Sequence, residues 1–225
     1  MDAKEVAARR AVADVQEGMI LGLGTGSTAT HAIRLLGERI QQEGLRIRGV
    51  PTSQRSKAQA EQLGIPLVSF AQVTSIDMTI DGADEINPAL HLIKGGGGAL
   101  VQEKIVACAT RELVIICDAN KIKPQLGAFP LPIAIIAFGW QATLRHLEAF
   151  SYPVHIRTHT DGSPYRTDDG LYIVDMACGT IPDPVAFEQK LKSLVGVAEV
   201  GLFTNLAQRV IVGYEDGTTQ IQERS

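Results

Sequence analysis

Between Asp81 and Lys104 the chain reads DGADEINPALHLIKGGGGALVQEK. Three acids (Asp81, Asp84 and Glu85) precede Lys94, the glycines Gly95 to Gly98 follow it, and Glu103 and Lys104 close the stretch. Carboxylates so grouped can bind hydroxyls or shuttle protons between oxygens, and a lysine can neutralise a developing oxyanion. Glycine loses more backbone entropy on folding than any other residue, so a run of it makes poor helix and poor strand. Tolerating that cost beside so much charge points to a backbone brought close to a charged ligand. Singly, each acid has a bland reading: Asp stabilises turns, and a first-turn glutamate suits any helix. For Glu103, the helix start and Lys94 favour the ionised form while desolvation would raise its basicity, and the sequence leaves these two effects opposed.

Three further loops contribute. GLGTGSTAT, Gly22 to Thr30, is a glycine turn in which Ser27 and Thr28 can cap the next helix, whose amides and dipole favour an anion. A dinucleotide site would need glycine at the position of Ser27 and an acid at the end of the second strand, which instead ends in GVPTSQRS. A nucleotide P-loop would need G-K-[ST], which the loop lacks. The alternatives left are a site for a small phosphorylated metabolite and an ordinary capped turn. PTSQRS is a hydroxyl-rich turn that either adds donors to the same anion or simply caps a helix. Past ELVIICD lie Asp118, Asn120, Lys121 and Lys123; Lys121 either meets the sugar or phosphate or is a solvated loop lysine. His155 and His159 fall on one face of an expected strand with no third ligand, and DGADE lacks calcium-loop spacing, so no metal site is expected. No G-x-S-x-G elbow occurs, and Cys108 and Cys117 lie in apolar surroundings where buried, unactivated thiols are expected.

The elements that must position these loops follow from periodicity. The chain has 225 residues, 45% hydrophobic and 20% charged, with a net charge of -4, a pI near 5.7 and a mean hydropathy of +0.08. That suits one core, or a main domain with a small one. No basic tract supports nucleic acid as the main partner, and no apolar run approaches the roughly 20 residues that cross a bilayer. The N-terminus lacks the apolar core of a secretion signal, and three cysteines without C-x-x-C spacing suit a reducing compartment, so a cytoplasmic setting is expected.

Up to about residue 125, helical spacing (Val6, Ala7, Ala11, Val12, Val15; then Ile33, Leu36, Ile40) alternates with the strand-like runs MILGLG, LRIRGV, PLVSF, SIDMTI and ELVIICD. This predicts an α/β fold with a parallel, Rossmann-like sheet covered on both faces. Past GAFPLPIAII the pattern predicts helix 139–149, strand 153–159, strand 171–177, helix 184–194 and strand 197–203, a small α+β, ferredoxin-like domain. QRVIVGYEDGTTQIQE is expected to turn at Asp216–Gly217 and rejoin the first sheet. The expected domains are 1–128 plus 208–225, catalytic, and 129–207, for oligomerisation.

Together GLGTGSTA, TSQRS, DGADEI, KGGGGAL followed by EK, DANK and the tail VGLFTNLAQRVIVG resemble the ribose-5-phosphate isomerases of the A type, over nearly the whole chain. The resemblance implies a cofactor-free and metal-free aldose–ketose isomerase of the pentose phosphate pathway, assembled as a homodimer or homotetramer. It would interconvert ribose 5-phosphate and ribulose 5-phosphate through an enediolate. It assigns Glu103 as the base moving a proton between C2 and C1. Asp81 and Asp84 bind hydroxyls and assist ring opening, with Gly82 and Ala83 between them also touching substrate. Lys94 and the amides of Gly95, Gly96 and Gly97 steady the enediolate; Thr25, Gly26, Ser27 and Thr28 bind substrate; Lys121 completes the site. Two departures stand out. The family often has alanine where Gly98 stands, a difference expected to loosen the helix start slightly. It also tends to carry paired lysines in the first helix, where this chain has only Lys4, to which no phosphate role is assigned. Two rival readings are a coenzyme A transferase with Glu103 as acyl acceptor and a non-catalytic sugar-phosphate sensor. Hydroxylamine trapping would reveal the first, and binding of ribose 5-phosphate without turnover the second.

Overall fold

The computed structural model describes residues 1–224. In chain order the elements begin with α1 (Ala3–Ala13), β1 (Ile20–Leu23), α2 (Ser27–Glu43), β2 (Arg48–Pro51), α3 (Gln54–Gln62) and β3 (Ile76–Asp81). Next come β4 (Glu85–Ile86), β5 (Leu92–Ile93), α4 (Leu100–Cys108), β6 (Thr110–Asp118), β7 (Leu131–Ile135), α5 (Trp140–Glu148) and β8 (Val154–Ile156). The chain ends with β9 (Tyr172–Met176), α6 (Pro184–Lys192), β10 (Val197–Val200), β11 (Leu202–Phe203), β12 (Arg209–Gly213) and β13 (Thr219–Glu223). The described residues form two compact units, 1–83 with 102–121 and 206–224, and 84–101 with 122–205. The second unit thus includes 84–101, which the sequence pattern grouped with the first sheet.

The first unit is built on a six-stranded sheet in the order β13-β12-β6-β3-β1-β2. The five strands from β12 to β2 run parallel, and β13 returns antiparallel at the edge, as the Asp216–Gly217 turn predicts. One cluster joins Leu21, Leu23, Met78, Ile80, Val114 and Ile116 to Ala7, Ala11 and Val12 of α1 and Ile33 and Leu36 of α2. A second gathers Val50, Val73 and Ile76 around Val106 of α4. β6 is buried along Leu113 to Cys117 and reads as an apolar run, whereas β3, IDMTID, alternates and sends Met78 and Ile80 to one face. The strand expected at PLVSF does not form: only Leu67 bridges to Gly49. Pro66 has no amide to give, and the side chain of Gln72 takes the Ser69 amide at 2.9 Å, so pairing stops after one residue.

The second unit has a four-stranded, fully antiparallel sheet in the order β10-β7-β9-β8. One face packs with Leu147 of α5 and Leu191 of α6, and the other with Leu100, Val101, Tyr165 and Leu171. The single strand expected over 197–203 breaks in two at Gly201. There the chain leaves β7 and pairs with β5, forming a three-stranded sheet β11-β5-β4. The break requires glycine because a Cβ at 201 would lie 2.4 Å from the Lys94 carbonyl oxygen and 2.8 Å from that of Pro132. In return the Gly201 carbonyl accepts the Lys94 amide at 2.8 Å, which fixes where Lys94 leaves its strand. The strand expected over 153–159 ends at Ile156, so His155 and His159 do not share one. The His159 ring instead packs against Tyr165, with centroids 5.3 Å apart.

Candidate active site

In the first unit the strand order reverses between β1 and β3, and loops at such a switch point diverge to leave a crevice at the strands' carboxyl ends. The Gly24–Thr28 loop leaves β1 there and Asp81 ends β3. The two are locked together: the Asp81 carboxylate, 1% exposed, accepts the Thr25 amide at 3.0 Å and the Gly82 amide at 2.7 Å through the same oxygen. Gly24 is what permits the approach, since a Cβ on it would come within 2.3 Å of that carboxylate and 2.6 Å of the Asp81 Cα.

Ser27 and Thr28 do not cap α2, as the sequence suggests; Gly26 occupies the cap position at φ 108° and supplies no side-chain acceptor. The first amides of α2 are thereby left facing the loop rather than a hydroxyl of their own chain, which suits an anion at the positive end of the helix. The Ser27 hydroxyl is instead held by Lys4 Nζ at 3.0 Å. Lys4 is thus a residue of this loop that the sequence does not assign. Its contact spans 23 positions, and nothing in the spacing signals it.

The hydroxyls of Thr52 and Ser53 each lie 2.7 Å from Thr25 Oγ1. Ser53 also caps α3 reciprocally with Ser56. Of the two readings of PTSQRS, the cap is the one observed, with bracing of Thr25 as its second task. Glu103 and Lys104 lie in and just past the first turn of α4 and are only 5% exposed. Lys121 ends a short 3-10 turn after β6 and is half-buried.

In the second unit, Asp84 accepts the Gly96 amide at 2.8 Å through Oδ2, and its own amide donates to Ile93. Lys94, 3% exposed, has its ammonium 5.6 Å from the centre of the Phe203 ring. Gly95 is buried at φ 99°, a conformation side-chain-bearing residues rarely adopt, and it turns the chain so that Gly96 and Gly97 are exposed. Glu85, grouped with the reactive acids by sequence, is 1% exposed and accepts the Gly127 and Phe129 amides at 2.7 Å each. It anchors a loop. Gly98 departs from expectation too: at φ 81°, a Cβ there would lie 2.4 Å from the Tyr165 hydroxyl, so alanine would strain this loop rather than merely loosen a helix start.

The thiols are distributed differently from the expected pattern. Cys108, at the end of α4, is exposed, because the buried positions of that helix turn are Val106 and Ala107. Cys117 and Cys178 are buried. Burial pushes both thiols up to about 12, with the Asp118 charge adding to the effect at Cys117.

The fold and these loops define a class: an open, largely parallel α/β protein with ligand-type loops at the carboxyl ends of its strands. Residues 48–217 match the family described as ribose 5-phosphate isomerase A (phosphoriboisomerase A). Ribose-5-phosphate isomerase A of Chloroflexus aurantiacus is 47% identical over 220 residues, covering 97% of this chain and 92% of its own. The Streptococcus mutans enzyme is 46% identical, covering 95% of each. Among solved structures, ribose 5-phosphate isomerase A of Methanocaldococcus jannaschii aligns with a TM-score of 0.94 at 39% identity, over 99% of this chain and 98% of that one. A D-ribose-5-phosphate isomerase in complex with phospho-erythronic acid aligns with a TM-score of 0.95 at 37% identity, with the same coverage. The chain belongs to the ribose 5-phosphate isomerase A family.

Proposed function

We infer that this chain interconverts D-ribose 5-phosphate and D-ribulose 5-phosphate. The observation that carries the reading is local: Asp84 and the Gly96 amide are fixed against one another in the glycine loop that follows a buried lysine. Such donors can meet charge that develops on a substrate oxygen. The proton on a carbon beside a carbonyl is far too weakly acidic for a free carboxylate near pH 7. Stabilising the enediolate is therefore the larger task, and a positioned base adds roughly 10²–10⁴-fold. The phospho-erythronic acid bound by the 37% identical relative fits this scheme, because its carboxylate is planar and anionic like an enediolate.

In this reading Glu103 takes the C2 proton of the open-chain aldose and returns it to C1, so the C1 carbonyl becomes a hydroxyl and the C2 hydroxyl a carbonyl. Lys94 and the Gly95, Gly96 and Gly97 amides hold the negative oxygens meanwhile. Asp81, Gly82, Ala83 and Asp84 bind hydroxyls, and the two acids move the oxygen-bound protons. Thr25 to Thr28 meet the substrate at the α2 amides, Lys4 brings a positive charge to the same loop, and Lys121 completes the contacts. No step calls for a metal or organic cofactor.

We place the reaction in the cytoplasm and the pentose phosphate pathway, as the family resemblance suggests; no helix among the described residues is long and apolar enough to cross a membrane. The strand order β10-β7-β9-β8 supports reading the small sheet as ferredoxin-like. Exposed Ile136, Phe138 and Val195 support assigning residues 129–207 to subunit contact in a homodimer or homotetramer. Incubating the purified chain with ribose 5-phosphate and measuring ribulose 5-phosphate tests the reading. Binding without conversion favours the sensor, and hydroxylamine-trappable acyl enzyme favours the transferase.

A further inference from the structure

Beneath the glycine loop lies an arginine that the reaction scheme does not use. Arg157 forms a two-pronged pair with Asp175, Nε to Oδ2 at 2.8 Å and Nη2 to Oδ1 at 2.5 Å. Its remaining nitrogen, Nη1, donates to the carbonyl oxygens of Gly95 at 3.0 Å and Gly96 at 3.1 Å. Both side chains are largely covered, at 17% and 13% exposed. The guanidinium also lies 5.9 Å from the centre of the Tyr165 ring, the ring that excludes a side chain at position 98. Arg157 and Tyr165 are themselves joined along the backbone, Tyr165 N–H to Arg157 C=O at 2.8 Å.

The consequence follows from peptide geometry. In a trans peptide the C=O and the following N–H point in opposite directions. Holding the Gly95 carbonyl therefore aims the Gly96 N–H, which is the amide Asp84 accepts. Holding the Gly96 carbonyl aims the Gly97 N–H away from the guanidinium. Glycine peptides left to themselves would rotate among many orientations, and an oxyanion donor is worth most when it needs no reorganisation. Fixing two adjacent carbonyls while gripping a carboxylate needs the planar fork of arginine, which a lysine ammonium cannot reproduce.

We infer that Arg157, gripped by Asp175, is a positioning residue for the isomerisation, orienting the two peptides that follow Gly95 and Gly96 so that the Gly96 amide holds Asp84 in place and the Gly97 amide meets the enediolate. The inference rests on the function proposed above. It does not make Arg157 a catalytic residue, since its contacts are to the loop.

The test measures turnover of ribose 5-phosphate, and affinity for phospho-erythronic acid, in Arg157→Gln, Arg157→Lys and Asp175→Asn. With the loop free to rotate, kcat in Arg157→Gln is expected to fall about 30- to 100-fold while KM changes less than about threefold. Affinity for phospho-erythronic acid should fall in parallel with kcat/KM, because that ligand demands the aligned amides and the ground-state sugar does not. Arg157→Lys should remain at least about tenfold impaired in kcat despite its charge. An ion pair that merely stabilised the unit would lower Tm and leave kcat per folded molecule within about twofold, and that result overturns the inference. Should the Arg157 variants not fold, Asp175→Asn decides: a kcat loss of at least about fivefold at unchanged KM supports it, and a smaller loss overturns it. Wild-type protein that binds but never isomerises the sugar would remove the proposed function itself, and this inference with it.

Discussion

Gly24→Ala tests how closely the first loop must approach Asp81. Gly24 does not need an unusual backbone conformation, since its φ lies outside the left-handed range, so the whole effect must come from contact. The added methyl would sit 2.3 Å from Asp81 Oδ1, 2.5 Å from its Cγ and 2.6 Å from its Cα. The last of these is backbone in a central strand and cannot swing aside. Overpacking of this kind costs about 1–3 kcal/mol, and for a chain of this size that corresponds to a Tm lower by about 2–12 °C. Relief can come only by moving the loop or the carboxylate, and either breaks the 3.0 Å bond from the Thr25 amide. If Asp81 binds substrate as proposed, a displacement of its carboxylate near 1 Å is expected to lower kcat/KM about 10²-fold. Differential scanning calorimetry and steady-state kinetics measure the two effects. Gly26→Ala is the contrasting control, because nothing lies within 4 Å of its Cβ and its cost is confined to φ 108°. Gly24→Ala protein with wild-type Tm and wild-type kcat/KM would refute the claim that β1 and β3 meet this tightly.

Three other outcomes are expected. Glu103→Gln should retain the fold and bind phospho-erythronic acid while losing about 10²–10⁴-fold in turnover; near-normal turnover would remove its assignment as base. Prolonged treatment with a chelator should leave isomerase activity unchanged, and inhibition reversed by added divalent metal would contradict the metal-free scheme. Because burial pushes the Cys117 and Cys178 thiols up to about 12, native protein near pH 8 should react with a thiol reagent at Cys108 alone, and rapid labelling of all three would contradict their burial. Their raised values also set a sign for stability. The contribution is fully present below the unfolded thiol value and is lost as pH rises toward about 12, so chemical denaturation midpoints should decline above about pH 9.

The parts of the molecule legible in the sequence are those governed by local patterning. Helical spacing at Val6, Ala7, Ala11 and Val12 identifies the buried face of α1, and the apolar runs of β1 and β6 and the alternation of β3 announce the strands of the first sheet. Gly95 to Gly97 stand out because a glycine run is costly, and the loop does carry a positive φ at Gly95. What the sequence hides is pairing across distance. Lys4 meets Ser27, Arg157 meets Gly95 and Gly96, and Glu85 meets Gly127 and Phe129, contacts separated by 23 to 62 positions that no spacing rule reports. The single strand expected over 197–203 fails for a similar reason. Gly201 reads as a weak strand residue, whereas its role is set by the carbonyls of Lys94 and Pro132, both distant in sequence. Cys108 shows the limit of composition: an apolar neighbourhood in the chain became an exposed position once the helix set its rotation.

The most direct measurement of the central claim follows ribose 5-phosphate and ribulose 5-phosphate by NMR in D₂O, using wild-type chain and Glu103→Gln. Wild-type protein is predicted to reach the same mixture from either sugar, with solvent deuterium entering the proton exchanged between C1 and C2, and Glu103→Gln to bind the sugar without converting it. Conversion by Glu103→Gln at the wild-type rate, or failure of the wild-type chain to convert a sugar that it binds, would contradict the account.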